Sequence, residues 1–285
     1  MLKIDAHTHT HLCPHGSGES TRKMVERAIQ LGFSEYHITE HAPMPTNFAS
    51  AFGGPLADIE SEGLAPADVE RYLKLATDLQ REYCGQIKIS VGFEIEFLAD
   101  FVDQTQAFFD QYGQETQSNI LSVHYLKAAN GKYFGIDYDP AELLAGFATE
   151  MRAPQQLYER YLKAVLASAQ IDWHRSQPLA LGHISLIKKF QDYFQFPAAF
   201  DQHNQHLIDQ IINAMQKHDL SLDYNAAGLY KKFGNDFYPG VQILKRALAA
   251  KIPIQFGSDA HSIDEVGHGW HMLNSFQKVL TNEIN

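Results

Sequence analysis

His7 and His9, in the segment Ile4-Asp5-Ala6-His7-Thr8-His9, offer two imidazoles with a single residue between them. In an extended strand alternate side chains share a face, so the two rings project side by side. Two neutral imidazoles held in this way make half of a metal site. Asp5 falls on the same face, where a carboxylate can orient one ring from behind. The bland alternative is a polar strand end with two unrelated histidines. What decides between them is whether the chain brings further nitrogen and carboxylate ligands to the same place.

The elements that must do this are readable as an alternation. Strands are predicted at 35–41, 87–96, 119–124, 179–184, 220–225 and 252–261, after the opening one. Between them lie amphipathic stretches near 66–83, 100–112, 140–150, 154–170, 200–218 and 240–250. The first helix starts at Ser20 as N-cap, carries Met24, Val25, Ala28, Ile29 and Leu31 at helical spacing, and stops at Gly32. Residues 42–65, rich in Pro, Gly, Ala and Ser, read as a long connection of the kind that forms a lid or binding loop. A second long connection, rich in Tyr and Gly, follows 124. Alternation of this kind predicts βα units around a parallel sheet. Seven strands, no linker and no fixed-period repeat make residues 1–285 one domain, a closed or nearly closed α/β barrel. Such barrels build their active sites at the C-terminal ends of the strands.

Those ends carry the chemistry. His7, His9, His41, Glu94, His124, His183, Asp259 and His261 all fall there, and His15 sits in the Pro- and Gly-containing loop after the first strand. Any one of them alone is more often a hydrogen-bonded structural histidine than a ligand; their shared placement points to a metal centre. The formal charge of -11 argues against a protein held by nucleic-acid phosphates. It also means that an anionic substrate would need positive potential from bound metal. Two cysteines, Cys13 and Cys84, are too few for a disulfide framework. With no leader and no apolar run long enough to span a membrane, the expectation is a reduced, cytoplasmic protein.

The Asp-x-His-x-His opening, Thr39-Glu40-His41, Gly92-Phe93-Glu94, Ser122-Val123-His124, Gly182-His183 and Gly257-Ser258-Asp259-Ala260-His261 together resemble the polymerase and histidinol phosphatase (PHP) superfamily. The motifs run in order over nearly the whole chain. Chain length, Gly182-His183-Ile184 and Leu222-Asp223-Tyr224-Asn225 look most like its histidinol-phosphate phosphatase branch. The resemblance implies a distorted seven-stranded (β/α) barrel of the TIM-like kind, and three divalent metal ions. Carried over by motif, His7, His9, Glu94 and Asp259 would hold one ion, with Glu94 bridging to a second completed by His124 and His183. His15, His41 and His261 would hold the third; some relatives have an Asp at the place of His15. Nitrogen and carboxylate ligands suit Zn, Fe or Mn, and neither cysteine has a place in the pattern. Three such ions, less Glu94, Asp259 and a hydroxide, leave a cleft of about +3 that would draw a phosphate despite the acidic surface.

The activity implied is hydrolysis of the phosphomonoester L-histidinol phosphate, as in histidine biosynthesis. Two ions roughly 3.5–4 Å apart deliver hydroxide in line to phosphorus without a phosphoenzyme. Glu94, Asp259 and His261 are the catalytic expectations, the last two as donors to the leaving alkoxide. Relatives place an Arg after the Gly-His strand, where this chain has Lys188 and Lys189. Lys189, Lys231 and Asn225 are expected at the substrate, although lysine lacks the arginine fork. Glu96, on the face of Glu94, competes for the ligand role. His11 and His37 match no family position. The runner-up is another phosphomonoester or a phosphodiester such as an oligonucleotide, against which the acidic surface and missing basic, aromatic track count. A barrel that keeps its metals without turnover is the non-enzymatic alternative. The sequence leaves oligomeric state open.

Overall fold

The structure, a computed structural model of the chain, describes residues 2–234 and 236–273. The expected domain end at 285 lies outside the described residues. Nine strands are defined among them: β1 (Ile4–Asp5), β2 (Glu35–His41), β3 (Lys88–Glu96), β4 (Asn119–Ser122), β5 (Tyr125–Lys127), β6 (Tyr133–Gly135), β7 (Leu179–Leu181), β8 (Ser221–Asn225) and β9 (Ile254–Gly257). Seven of these make one parallel sheet in the order β1-β2-β3-β4-β7-β8-β9. The edges meet. Ala6 N donates to Phe256 O (2.7 Å), Asp259 N to His7 O (2.8 Å) and His9 N to Ala260 O (3.0 Å), so the sheet closes as the predicted α/β barrel.

Burial explains the strand compositions. Val91, Phe93, Leu121, Leu181 and Leu222 are buried, as expected of strands covered on both faces. The Thr21–Gln30 helix buries Thr21, Met24, Val25 and Ala28, one stripe at helical spacing, and Gly32 (φ 76°) ends it in the left-handed conformation. Ser20 stands at its N-cap, but its side chain makes no capping bond. The Val69–Glu82 helix buries Val69, Tyr72, Leu73, Ala76 and Leu79, and the Tyr72 hydroxyl ties it to the carbonyls of Ile38 (2.9 Å) and Gly92.

Both long connections are folded. The one after β4 is the antiparallel β5–β6 hairpin, turning at Asn130-Gly131 with Gly131 at φ 81°. Residues 42–65 contain two short helices, Phe48–Ala51 and Leu56–Glu60. Phe48 and Phe52 form a second apolar cluster with Leu98, Tyr125 and Tyr133. Sequence periodicity missed this because both helices are shorter than two turns.

Candidate metal centre

Nine side chains converge at the C-terminal mouth of the barrel. His41 ends β2, and Glu94 is paired with it in register on β3. His124, His183 and Asp259 each lie two residues past β4, β7 and β9. His7 and His9 lie past β1, which ends at Asp5. Their extended segment is stitched to β2 by Thr39 N→Thr8 O (2.8 Å), and on the other side by the β9 bonds that close the barrel. Two of the nine stand in left-handed backbone, His183 (φ 23°) and Asp259 (φ 57°), conformations that non-glycine residues keep where surrounding structure enforces them. A Cβ on Gly257 would lie 2.5 Å from His7 Cβ and 2.6 Å from Asp223 Oδ1, so only glycine leaves room there.

Glu94, fully buried, is the hub. Its Oε2 lies 3.1 Å from His7 Nε2, 3.2 Å from His41 Nδ1 and 3.5 Å from His9 Nε2. Its Oε1 lies 2.8 Å from His183 Nε2 and 3.5 Å from His124 Nε2, and accepts from Ser122 Oγ (2.6 Å). Asp259 Oδ1 lies 3.1 Å from His9 Nε2. Behind the rings stand acids to which the sequence expectation gave no such role. Asp223 Oδ2 accepts a hydrogen bond from His7 Nδ1 (2.9 Å), Glu40 Oε1 from His9 Nδ1 (3.2 Å) and Glu96 Oε2 from His124 Nδ1 (2.7 Å). Glu96 therefore orients a ligand and does not replace Glu94. Asp5 does not orient a ring; it accepts from Ser258 N and Oγ and from Gly267 N, fastening the turn after β9. The available signal for Asp223 was its place in the Leu222-Asp223-Tyr224-Asn225 motif.

With Nδ1 protonated toward these acceptors, each ring in its neutral form presents the Nε2 lone pair inward; the tautomers follow from the partners. The sharpest case is His15 with His261. His15 Nδ1 donates to Ser61 O (2.7 Å) and His261 Nδ1 to Asp259 O (2.9 Å), and the two Nε2 atoms then face each other at 3.1 Å. Burial, then the charge of His9, pushes His261 down to about 3, and partial desolvation of its otherwise exposed ring lowers His15. Two lone pairs at that distance call for an electron-pair acceptor. Buried His41 Nε2 and His183 Nδ1 have no protein partner. The donor set fits divalent cations.

Charge is divided unevenly over the site. Burial opposes protonation of His9 and His124, but Asp259 and Glu40 hold the first up at about 9, and Glu94 and Glu96 the second up at about 10. Glu94 and Asp259 are held well below the usual carboxylate range, against burial, by the imidazoles around them. His41, buried and beside His9, is pushed well down. Ligand atoms cluster within 4.8 Å in three groups: His7, His9 and Asp259; Glu94, His124 and His183; and His9, Cys13, His41 and His261. Cys13 lies in the third group by distance, although the motif gives it no place among the ligands. Burial and Glu40 raise its thiol far above the ordinary value, so it is protonated.

The mouth opens into a cavity of about 280 Å³ lined by His15, His41, Glu94, His124, His183, Asp259 and His261, and by Glu62, Asp137, Lys189, Lys231 and Tyr238. Lys189 Nζ meets Asp137 Oδ2 at 2.9 Å, and Lys231 is exposed at the rim. Lys188 turns away, donating to Ala198 O and lying 4.0 Å from the Phe200 ring; it lines a separate cavity of about 520 Å³ without imidazoles. Asn225 is fully buried and does not line the site cavity. Its Nδ2 donates to Asp259 Oδ2 (3.1 Å) and Asp223 Oδ2 (3.3 Å), so it clamps carboxylates where a substrate contact was expected. His11 bonds Thr21 and His37 bonds Glu35, both outside the cluster.

The PHP domain model matches residues 5–227. The chain belongs to the PHP domain family. Among PHP relatives, it is 35% identical over 273 residues to the histidinol-phosphatase of Bacillus subtilis (strain 168), covering 95% of this chain and 97% of that one. A Listeria monocytogenes structure assigned as the histidinol phosphatase hisK superposes with a TM-score of 0.91 at 32% identity, over 95% of this chain and 99% of its own. The histidinol phosphate phosphatase of Lactococcus lactis, solved with Zn, L-histidinol and phosphate, shares the PHP fold at a TM-score of 0.68 and 20% identity, over 96% and 93% of the two chains.

Proposed function

We propose that this PHP protein is a metal-dependent phosphomonoesterase that hydrolyses L-histidinol phosphate to L-histidinol and phosphate. The observation that carries the metal requirement is the pair of facing Nε2 atoms of His15 and His261 beside the Glu94 hub. The substrate reading is supported by the near full-length similarity to the Bacillus histidinol-phosphatase. The zinc, L-histidinol and phosphate held by the Lactococcus protein, on the same fold, agree with it.

In this reading His7, His9, Glu94 and Asp259 would hold one ion, Glu94, His124 and His183 a second, and His15, His41 and His261 a third. Bound there, divalent ions supply an activated water and neutralise phosphate charge. Asp223, Glu40 and Glu96 fix the rings so that each Nε2 points inward, and Asn225 steadies Asp259. Asp259, with 18% of its side chain open to the cavity, would relay a proton from the attacking water to the leaving alkoxide, with His261 as the other candidate donor. Lys189 and Lys231, which line the cavity, would lend counter-charge to phosphate oxygens. Zinc, iron and manganese all suit this donor set. No helix among the described residues is long and apolar enough to cross a membrane. The proposed role in amino-acid biosynthesis is what points to the cytoplasm.

Elemental analysis and phosphate release from a panel of esters, on one preparation, test the reading. Bound metal with turnover of L-histidinol phosphate above other monoesters is expected. Turnover confined to other monoesters would remove the substrate, and preference for oligonucleotides would replace it with the phosphodiesterase reading.

A further inference from the structure

Every carboxylate lining the cavity except one has a protein partner among the described residues. Glu94 and Asp259 face imidazoles, Glu265 accepts from His261 N, and Asp137 meets Lys189. Glu62 has none: no hydrogen bond or ion pair ties its carboxylate. It lies on the segment whose Ser61 carbonyl positions His15, and it lines both the cavity and a side recess beside His41, His124 and Tyr125. The same cavity is lined by Tyr238, 3% exposed, whose hydroxyl also lacks a partner. A partly buried carboxylate without counter-charge is costly unless something cationic completes it.

From this geometry we propose that Glu62 is a specificity-determining residue, with its carboxylate receiving the ammonium group of an amino-bearing phosphomonoester whose phosphate sits at the metal-ligating end. The inference rests on the phosphomonoesterase reading and names the feature of the substrate that selects it. L-Histidinol phosphate carries such an amine two bonds from its ester carbon, within the span of a cavity of about 280 Å³. Lys189 bonds Asp137, so the wall that includes Glu62 holds a carboxyl group to which no cation is bonded among the described residues. Burial and the neighbouring Asp137 push Glu62 up to about 8, and a cation beside it would bring it back down. The acidic cavity then has a division of labour: cations at its floor draw the phosphate and a carboxylate on its wall draws the amine.

The test compares kcat/KM for L-histidinol phosphate and its N-acetyl derivative, and for phosphoethanolamine and its N-acetyl derivative. The holoenzyme is assayed as wild type, Glu62→Gln and Glu62→Asp. Wild type is expected to favour the free amine by about tenfold or more. Glu62→Gln should bring the ratio near one, mainly through KM, and Glu62→Asp should restore part of it. Calorimetry with L-histidinol should show the matching loss of affinity in Glu62→Gln. An unchanged ratio in Glu62→Gln, or no amine preference in wild type, overturns the proposal. Amine preference without turnover of L-histidinol phosphate overturns the substrate reading and leaves the role of Glu62 standing.

Discussion

The two halves of the metal centre are built from the same residue types to different standards. Around Glu94, the rings of His7, His9 and His124 are backed by carboxylates and sit in the barrel interior. Around His261, the rings of His15 and His261 are backed by the neutral carbonyls of Ser61 and Asp259, and His15 is exposed. A carboxylate behind an imidazole raises its basicity and fixes its orientation more firmly than a carbonyl does. The first half is a tight, charge-rich site and the second a weaker, neutral one. Anchorage in the closed sheet makes the difference: the ligands of the first half hang from β1, β3, β4, β7 and β9, while His15 hangs from a loop.

Breaking the hub should have the largest effect. Glu94→Gln removes the one carboxylate shared across the first half, and kcat/KM should fall by about 10³-fold, with metal content falling alongside; near-normal phosphate release would refute the bridging role. Next come the acids behind the rings. Asp223→Asn and Glu40→Gln should each weaken metal binding by about 10–100-fold, read by competition with a chelator. Smaller still, His15→Ala should cost the second half its ion while the first half keeps its metal, seen by elemental analysis across a chelator series. If all metal leaves together, the two halves are one site.

The subtlest contrast is in pH. In chelated protein His261 is neutral in the fold, at about 3 against an ordinary 6.5, so its contribution is lost as pH falls below 6.5. His9 and His124 are raised to about 9 and 10, so theirs is complete below 6.5 and lost as pH rises through those values. Thermal melts of the chelated protein should therefore peak near pH 6.5 from these groups and decline on both sides. Zinc should remove the alkaline decline, because a cation takes the place of the protons in the first half. An alkaline limb that zinc leaves untouched would place its cause outside the centre.

Much of this was readable from order alone. Alternating strand and helix patterns gave the parallel barrel, and strand ends placed His41, Glu94, His124, His183 and Asp259 where one mouth could collect them. Those positions are local: a ligand two residues past a strand is aimed by its own backbone. Residues 42–65 were not legible as a packed wall, because Phe48 and Phe52 find their partners on Leu98, Tyr125 and Tyr133. Glu62 was unremarkable for the same reason.

By itself the sequence determined which atoms could bind metal and which end of the barrel would gather them. Only the tertiary structure decided which acid backs which ring. His7 and Asp223 are 216 residues apart, and Asp5, on the expected face, is drawn instead to Ser258 by barrel closure. Asn225 and Lys188 likewise turned to carboxylates and to a carbonyl. Side-chain type and spacing act along one strand, whereas the partner of a polar group depends on the register and curvature of all its neighbours.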